Sequence, residues 1–302
     1  MRNCAWDLVF FSLVFSLVRI ARMSRKIGLW SAVLVEMSLC KQTPPDNAKL
    51  IRLTMPDFPG PFYLRAGTTD AHTFLLVILN AEYDIRSFPQ FQKIDSLYRK
   101  TLKEGRRPLI IDCGANIGLS SIWFSHLFPE AQILAVEPAA DNIEIAKRNL
   151  RVYPNVTLLH GAIWDFPTRL TISNTTAGHH AYQVVEAHDE APGNSDKTLK
   201  AFTITELLEM ADMQQALIVK IDIEGAEAAL FRSNTDWVGR TDLIAIELHD
   251  WLLPKQRTSA PFIRSFANLN FDLLQRGENL FVFLDRPGSH DHCVAARHFS
   301  RR

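Results

Sequence analysis

Apolar and polar residues follow two different rhythms along this chain, and the change falls near residue 107. From there on, short continuous apolar runs recur, each ending at or near an acid or a glycine: LIIDC at 109–113, QILAVEP at 132–138, NVTLLHGAI at 155–163, ALIVKIDIEG at 216–225 and DLIAIELH at 242–249. Runs that are apolar at every position, rather than at alternate ones, suit strands buried on both faces. Between them, residues 117–127, 139–150 and the short AEAALFR segment carry helix-like apolar spacing. Alternating strand and helix predicts a parallel sheet with right-handed crossovers and helices on both faces. FDLLQR and NLFVFLD, on either side of Gly277 and Glu278, predict a closing hairpin at one edge. Residues 166–202 interrupt the rhythm; RLTIS and AYQVVEA predict short strands around a polar loop, APGNSDK. An insertion there would overhang the carboxyl ends of the strands and carry acceptor specificity.

Upstream of 107 the pattern is looser. LIRLTM alternates, PDFPG turns and PFYLR resumes, which predicts a hairpin over 50–64; FLLVIL and FQKIDSLYRKTL predict helix, interrupted at Pro89. KQTPPDNAK at 41–49 reads as a linker. Residues 8–18, LVFFSLVFSLV, are apolar but short of the roughly 20 residues that span a bilayer. Arg19, Arg22, Arg25 and Lys26 follow this run instead of preceding it, the wrong flank for a signal peptide. Three readings stay open for it: a surface anchor with weak membrane association, a buried helix, or a true start at Met23. The expected organisation is an apolar segment and linker at 1–48, an elaboration at 49–106, a main domain at 107–286 and a tail at 287–302.

Composition narrows the partners. Among 302 residues, 33 basic and 33 acidic side chains cancel, so no overall field attracts nucleic acid, and no nucleic-acid partner is expected. The cysteines, Cys4, Cys40, Cys113 and Cys293, show no C-x-x-C or metal-ligand rhythm, which points away from disulfides and zinc and toward a reducing, cytoplasmic setting. His179, His180, His290 and His292 have no spaced partners and are not expected to bind metal.

The sharpest feature is Asp112-Cys113-Gly114-Ala115-Asn116-Ile117-Gly118, directly after one buried run and before a helix. Two glycines and an asparagine let the chain turn tightly and bring bare backbone against a ligand. The G-x-x-x-G spacing departs from the G-x-G-x-x-G of dinucleotide sites, which counts against a nicotinamide cofactor. Glu137 ends the next run about 20 residues on, where a carboxylate in such folds accepts hydrogen bonds from ribose hydroxyls.

In IDCGANIGLSSIWF, AVEPAADN, the segment around Ala162, VKIDIEGAE and IELHD, taken in order, the sequence resembles the FkbM family of methyltransferases. LRAGTTD at 64–70 and the Glu82-Tyr83 pair look like family features as well. The resemblance implies a Rossmann-like class I methyltransferase fold, α/β with a mostly parallel seven-stranded sheet, and S-adenosylmethionine as methyl donor. It further implies O-methylation of a small-molecule or glycan hydroxyl. Carried over by position, Asp112, Gly114, Asn116 and Gly118 line the methionine end, Glu137 the ribose and Ala162 the adenine. Ala115 and Asn142, inside the same motifs, complete the expected cofactor-binding set.

Candidate catalytic groups follow the fourth and fifth runs. Asp222 and Glu224 share one side of a strand end and Gly225 lets the chain turn away; they suit a general base, a hydroxyl-orienting group or a divalent cation. Glu227 suits a helix cap. Glu247 and His249 are equivalently placed two residues apart, with His249 able to accept a proton near neutrality and Asp250 a candidate to orient it. Lys220 is expected to pair with a carboxylate, Glu247 being the nearest candidate. Arg65, Thr68 and Asp70 could reach the site or simply cap a turn. The rivals are a nicotinamide-type oxidoreductase, a non-catalytic membrane-associated binding protein, and methylation of protein or nitrogen.

Overall fold

The computed structural model describes residues 3–40, 48–172, 184–186, 198–251 and 254–285. Residues 41–47 of the expected linker, the polar loop at 191–197, the tail at 287–302 and His179, His180, His290 and His292 lie outside the described residues. The chain opens with α1 (Asn3–Ile27) and α2 (Leu29–Cys40), then β1 (Leu50–Leu53), β2 (Phe62–Arg65), α3 (Asp70–Phe74), a π-helical turn (Leu75–Leu79) and α4 (Phe91–Lys103). The hairpin expected over 50–64 is present, with β1 antiparallel to β2. The alternating part follows as β3 (Leu109–Cys113), α5 (Leu119–Leu127), β4 (Gln132–Glu137), α6 (Ala140–Leu150) and β5 (Val156–His160). After β6 (Ala162–Ile163), β7 (Arg169–Ile172), β8 (Val184–Glu186) and β9 (Leu199–Phe202), the chain resumes with α7 (Ile204–Met210), β10 (Ala216–Ile221), α8 (Glu227–Leu230) and β11 (Thr241–Glu247). It closes with α9 (Ser259–Ser265), β12 (Asn270–Arg276) and β13 (Asn279–Asp285).

The central sheet has seven strands in the order β12-β13-β11-β10-β3-β4-β5. The five consecutive strands from β11 to β5 are parallel, and the β12–β13 hairpin supplies the antiparallel edge. Alternation within each buried strand serves two cores. Ile110, Ile133, Ile218 and Leu243 face one; Leu109, Ile111, Leu134, Val219 and Ile244 face the other. The first core also takes Met23, Ile27, Ala32 and Val35 from the N-terminal helices and Phe62, Phe74 and Ile94 from the following segment. The expected elaboration at 49–106 therefore packs into the main domain's own core. Residues 155–163, expected as one strand, divide at Gly161: β5 stays in the large sheet, while β6 pairs with β9 in a four-stranded sheet ordered β6-β9-β7-β8. A side chain at Gly161 would put its Cβ 2.6 Å from the Lys200 carbonyl oxygen, so only glycine allows that close approach.

Candidate active site

The carboxyl ends of β3, β4, β10 and β11 open onto two adjoining cavities. A narrow slot is lined by Gly114, Asn116, Glu137, Asn142, Ala162 and Val184, among others. A wider cavity of about 350 Å³ is lined by Ala115, Lys220, Glu247, His249, Trp251 and neighbouring residues. Gly114, Asn116, Asp222 and Glu224 line both.

The slot side is held by hydrogen bonds. After β3 the backbone enters the left-handed region at Gly114 (φ +78°) and Asn116 (φ 50°), and the amides of Gly114 and Ala115 donate to the Val136 carbonyl, both at 3.0 Å. A Cβ at Gly114 would lie 1.8 Å from the Asp222 carbonyl oxygen, so the turn is pressed against the end of β10 with no room for a side chain. Glu137 is buried, and its carboxylate accepts from the amides of Asn116 (2.8 Å) and Ala139 (3.0 Å) and from Asn142 Nδ2 (3.1 Å). Burial raises its pKa, and these three donors work against that rise. Asn142 is held in turn by Arg65, whose Nη2 donates to its Oδ1 at 2.7 Å while the guanidinium grips Asp70 at 2.8 and 2.9 Å. Arg65 also pairs with Asp141 at 2.8 Å. Arg65 and Asp70 thus act on the site through Asn142, and Thr68 caps the turn between them by donating to the Arg65 carbonyl.

Two expected cofactor residues stand away from the ligand space. Asp112 is fully buried behind the turn, accepting from Ser120 and Ser121 at 2.6 Å each, and lines neither cavity. Gly118 starts α5 in the left-handed conformation (φ +86°) and packs on Leu150, so it shapes the helix entry without bordering a cavity.

The wider cavity is crowded with charge. Lys220, 2% exposed, donates to the Gly114 carbonyl at 2.7 Å and lies 3.4 Å from Asp112 and 3.6 Å from Asp222. Its expected partner Glu247 is replaced by Asp112, because β3 is the neighbouring strand on which Lys220 converges. Burial opposes its charge, but Asp112, Tyr83 and Asp222 outweigh that and hold its pKa well above the usual value. Glu227 does not cap α8 with its side chain. Instead its fully buried carboxylate meets His249 Nδ1 at 2.9 Å and accepts from the amides of Gly225 (3.3 Å) and Ile223 (3.4 Å). Glu227, not Asp250, is therefore what orients His249; Asp250 accepts from Thr258 and Ser259.

Burial works against a charge on His249, yet the bond to Glu227 and the fields of Glu227, Asp222 and Glu224 push its pKa up to about 9. Burial and the charge of Asp222 raise Glu224 to about 8 and Glu247 to about 7, with His249 opposing both shifts. All four predicted catalytic residues, Asp222, Glu224, Glu247 and His249, come together here. Reading along the sequence missed Trp251, His72, Thr69 and Glu278, which also line this cavity. Thr69 lies inside LRAGTTD, Trp251 directly follows IELHD and Glu278 sits in the marked hairpin turn, yet nothing in those patterns singled the three out, and His72 lies outside every marked motif.

Strand order, the reversed edge hairpin and a glycine turn facing an acid across two strand ends define a class I, Rossmann-like methyltransferase fold. A family profile for the methyltransferase FkbM domain matches residues 112–273, and the chain belongs to that family. This sets aside the oxidoreductase reading. The methyltransferase sdnD of Sordaria araneosa is 49% identical over 43 residues, 14% of this chain and 17% of that protein's length. The hexuronic acid methyltransferase AglP of Haloferax volcanii is 22% identical over 215 residues, 67% of this chain and 84% of AglP. The crystal structure of precorrin-6y C5,15-methyltransferase from Geobacter metallireducens matches with a TM-score of 0.32 at 14% identity, covering 60% of this chain and 81% of that one. Among the described residues, no helix is long and apolar enough to cross a membrane.

Proposed function

We propose that this chain transfers a methyl group from S-adenosylmethionine to a hydroxyl oxygen of a sugar, glycan or secondary metabolite. The observation that carries the reading is adjacency: Glu137 and Asn116 border the slot, and the same wall continues through Asp222 and Glu224 into the cavity that holds Glu247 and His249. The residues fit the donor. Asn116 Oδ1 is buried without a hydrogen-bond partner, and the Glu137 carboxylate keeps acceptor capacity beyond its three donors. Gly114, Ala115 and Asn116 hold the methionine end, Glu137 and Asn142 the ribose, and Ala162 the adenine.

Bound there, S-adenosylmethionine supplies a methyl group already activated on a sulfonium. The share left to the protein is alignment, proton removal and exclusion of water. Glu247, whose carboxyl titrates near neutrality, takes the hydroxyl proton. With no ion bound, His249 keeps its proton under the influence of Glu227, Asp222 and Glu224 and offsets their charge instead of acting as the base. The likeness to AglP, named for a hexuronic acid, supports a sugar acceptor, and the exposed Trp251 ring at the cavity offers a surface on which a sugar face stacks. The reading includes a cytoplasmic location with weak contact to a membrane surface through residues 8–18, supported by the exposure of Phe15, Leu17 and Val18.

Titration calorimetry with S-adenosylmethionine tests the donor site: wild type binds, and Glu137→Ala binds at least about tenfold more weakly, the effect of losing one charge-assisted hydrogen bond. Equal affinity in the two proteins defeats the assignment. Transfer of labelled methyl from that donor to a panel of glycans and hydroxylated metabolites identifies the acceptor.

A further inference from the structure

His249 is 2% exposed, yet one edge of its ring has no hydrogen-bond partner. Nδ1 meets Glu227 Oε1 at 2.9 Å, which fixes the ring and leaves Nε2 to face the cavity. Around Nε2 lie Glu224 Oε2 at 3.5 Å, Glu247 Oε1 at 3.6 Å and Asp222 Oδ1 at 3.8 Å. None of these is a normal hydrogen-bond distance. A ring seeking only a hydrogen bond would have closed onto one carboxylate instead of standing off from three. One donor atom from each of Asp222, Glu224 and His249 lies within 4.8 Å of the others. A single ion with ligand distances of about 2.1–2.5 Å bridges such a span.

The surroundings agree. Glu82 and Glu278 add further carboxyl groups to the same cavity, and the buried cation Lys220, though 3.6 Å from Asp222, donates to the Gly114 carbonyl and lies closer to Asp112. A carboxylate bonded to the far nitrogen of an imidazole is also how metal-ligating histidines are oriented from behind.

We infer that Asp222, Glu224 and His249 Nε2 bind one divalent cation, with Glu227 as the outer carboxylate that positions the imidazole. Two carboxylates suit Mg²⁺ and Mn²⁺, and an imidazole shifts the preference toward transition metals, so Mn²⁺ suits the mixed set best. The ion would order an acceptor hydroxyl beside Glu247 and make it more acidic. That role rests on the methyl-transfer reading above; the binding site itself does not.

The test is titration of the full, EDTA-treated chain with Mn²⁺, following the free-ion signal by electron paramagnetic resonance, with Mg²⁺ and Zn²⁺ as competitors. One Mn²⁺ per chain is expected. Glu224→Gln and His249→Ala should lose most of the affinity, and Glu227→Gln should weaken it about 10- to 100-fold as a positioning residue. Glu224→Gln keeps the side-chain volume, so its thermal transition shows that a loss is not misfolding. Absence of binding by wild type at millimolar Mn²⁺, or unchanged binding by a folded Glu224→Gln protein, overturns the inference. Calorimetry with S-adenosylmethionine on the same samples separates the two ideas. Mn²⁺ binding without donor binding keeps the ion and removes the methyl-transfer reading, and donor binding without Mn²⁺ does the reverse.

Discussion

The two halves of the cleft are built on opposite principles. On the slot side, Glu137, Asn142, Arg65 and Asp70 form a chain of hydrogen bonds between 2.7 and 3.1 Å, and the carboxylate within it is met by three donors. On the other side, Asp222, Glu224 and Glu247 crowd one imidazole at 3.5 to 3.8 Å, and two of them hold their protons far beyond the usual carboxylate range. The first half is held in place before anything binds; the second is short of positive charge. Preorganised dipoles lower the cost of gripping a ligand of fixed shape, whereas unbalanced charge invites an occupant that balances it.

Lys220 is the seam between the halves, since it holds both the Gly114 carbonyl and Asp112 on one side and faces Asp222 on the other. Lys220→Met should therefore be the most damaging change. It leaves Asp112 buried without its counter-charge and should cost about 3–5 kcal/mol in denaturant unfolding. A loss below about 1 kcal/mol would show that the halves do not depend on this link. Next comes Glu137→Gln, expected to reduce S-adenosylmethionine affinity about 10- to 100-fold, since a hydrogen bond to a charged group contributes about 1.5–3 kcal/mol. Glu227→Gln should act on the other half alone, lowering turnover about tenfold or more with donor affinity unchanged. If donor affinity falls as well, the separation of the two halves is wrong.

Protonation offers a gentler probe. Glu224 and Glu247 have folded pKa values of about 8 and about 7 against an ordinary 4.5, so the folded chain holds protons there that the unfolded chain has released. The stability of the metal-free protein should fall as pH rises from about 5 to about 8. His249 has the same sign: its folded value of about 9 exceeds 6.5, so its contribution is complete below pH 6.5 and fades as pH rises through 9. Thermal denaturation across pH 6–9 measures the slope, and Glu247→Gln should flatten it; an identical slope in the variant would assign the protons elsewhere. The smallest effect is expected for Trp251→Ala, a rise in acceptor KM of roughly 2- to 12-fold from a lost stacking surface with kcat nearly unchanged.

Much of this was legible from residues alone. LIIDC, QILAVEP and ALIVKIDIEG announced the parallel strands because a strand buried on both faces is apolar at nearly every position. The G-A-N-I-G turn and Glu137 stood out because backbone geometry and strand length fix their separation. The roles that escaped are those decided by packing across the chain. Glu227 meets His249 across 22 residues, and Arg65 reaches Asn142 across 77. Lys220 turned toward β3 rather than β11, a choice that depends on which way a buried side chain leaves its strand. Asp112, the first residue of the most telling motif, serves Ser120, Ser121 and Lys220 rather than a ligand.

Gly161 carries a consequence beyond its local geometry. By releasing the chain from the large sheet after β5, it hands the next stretch to a separate small sheet, whose Ala162, Ile163 and Val184 wall the slot and whose lower edge is tied by Asp165 to Arg232 and Ser233. The segment from there to β9 is thus a graft with two fixed stems. None of its described strands belongs to the seven-stranded scaffold, so the register of that scaffold does not depend on the length of this segment.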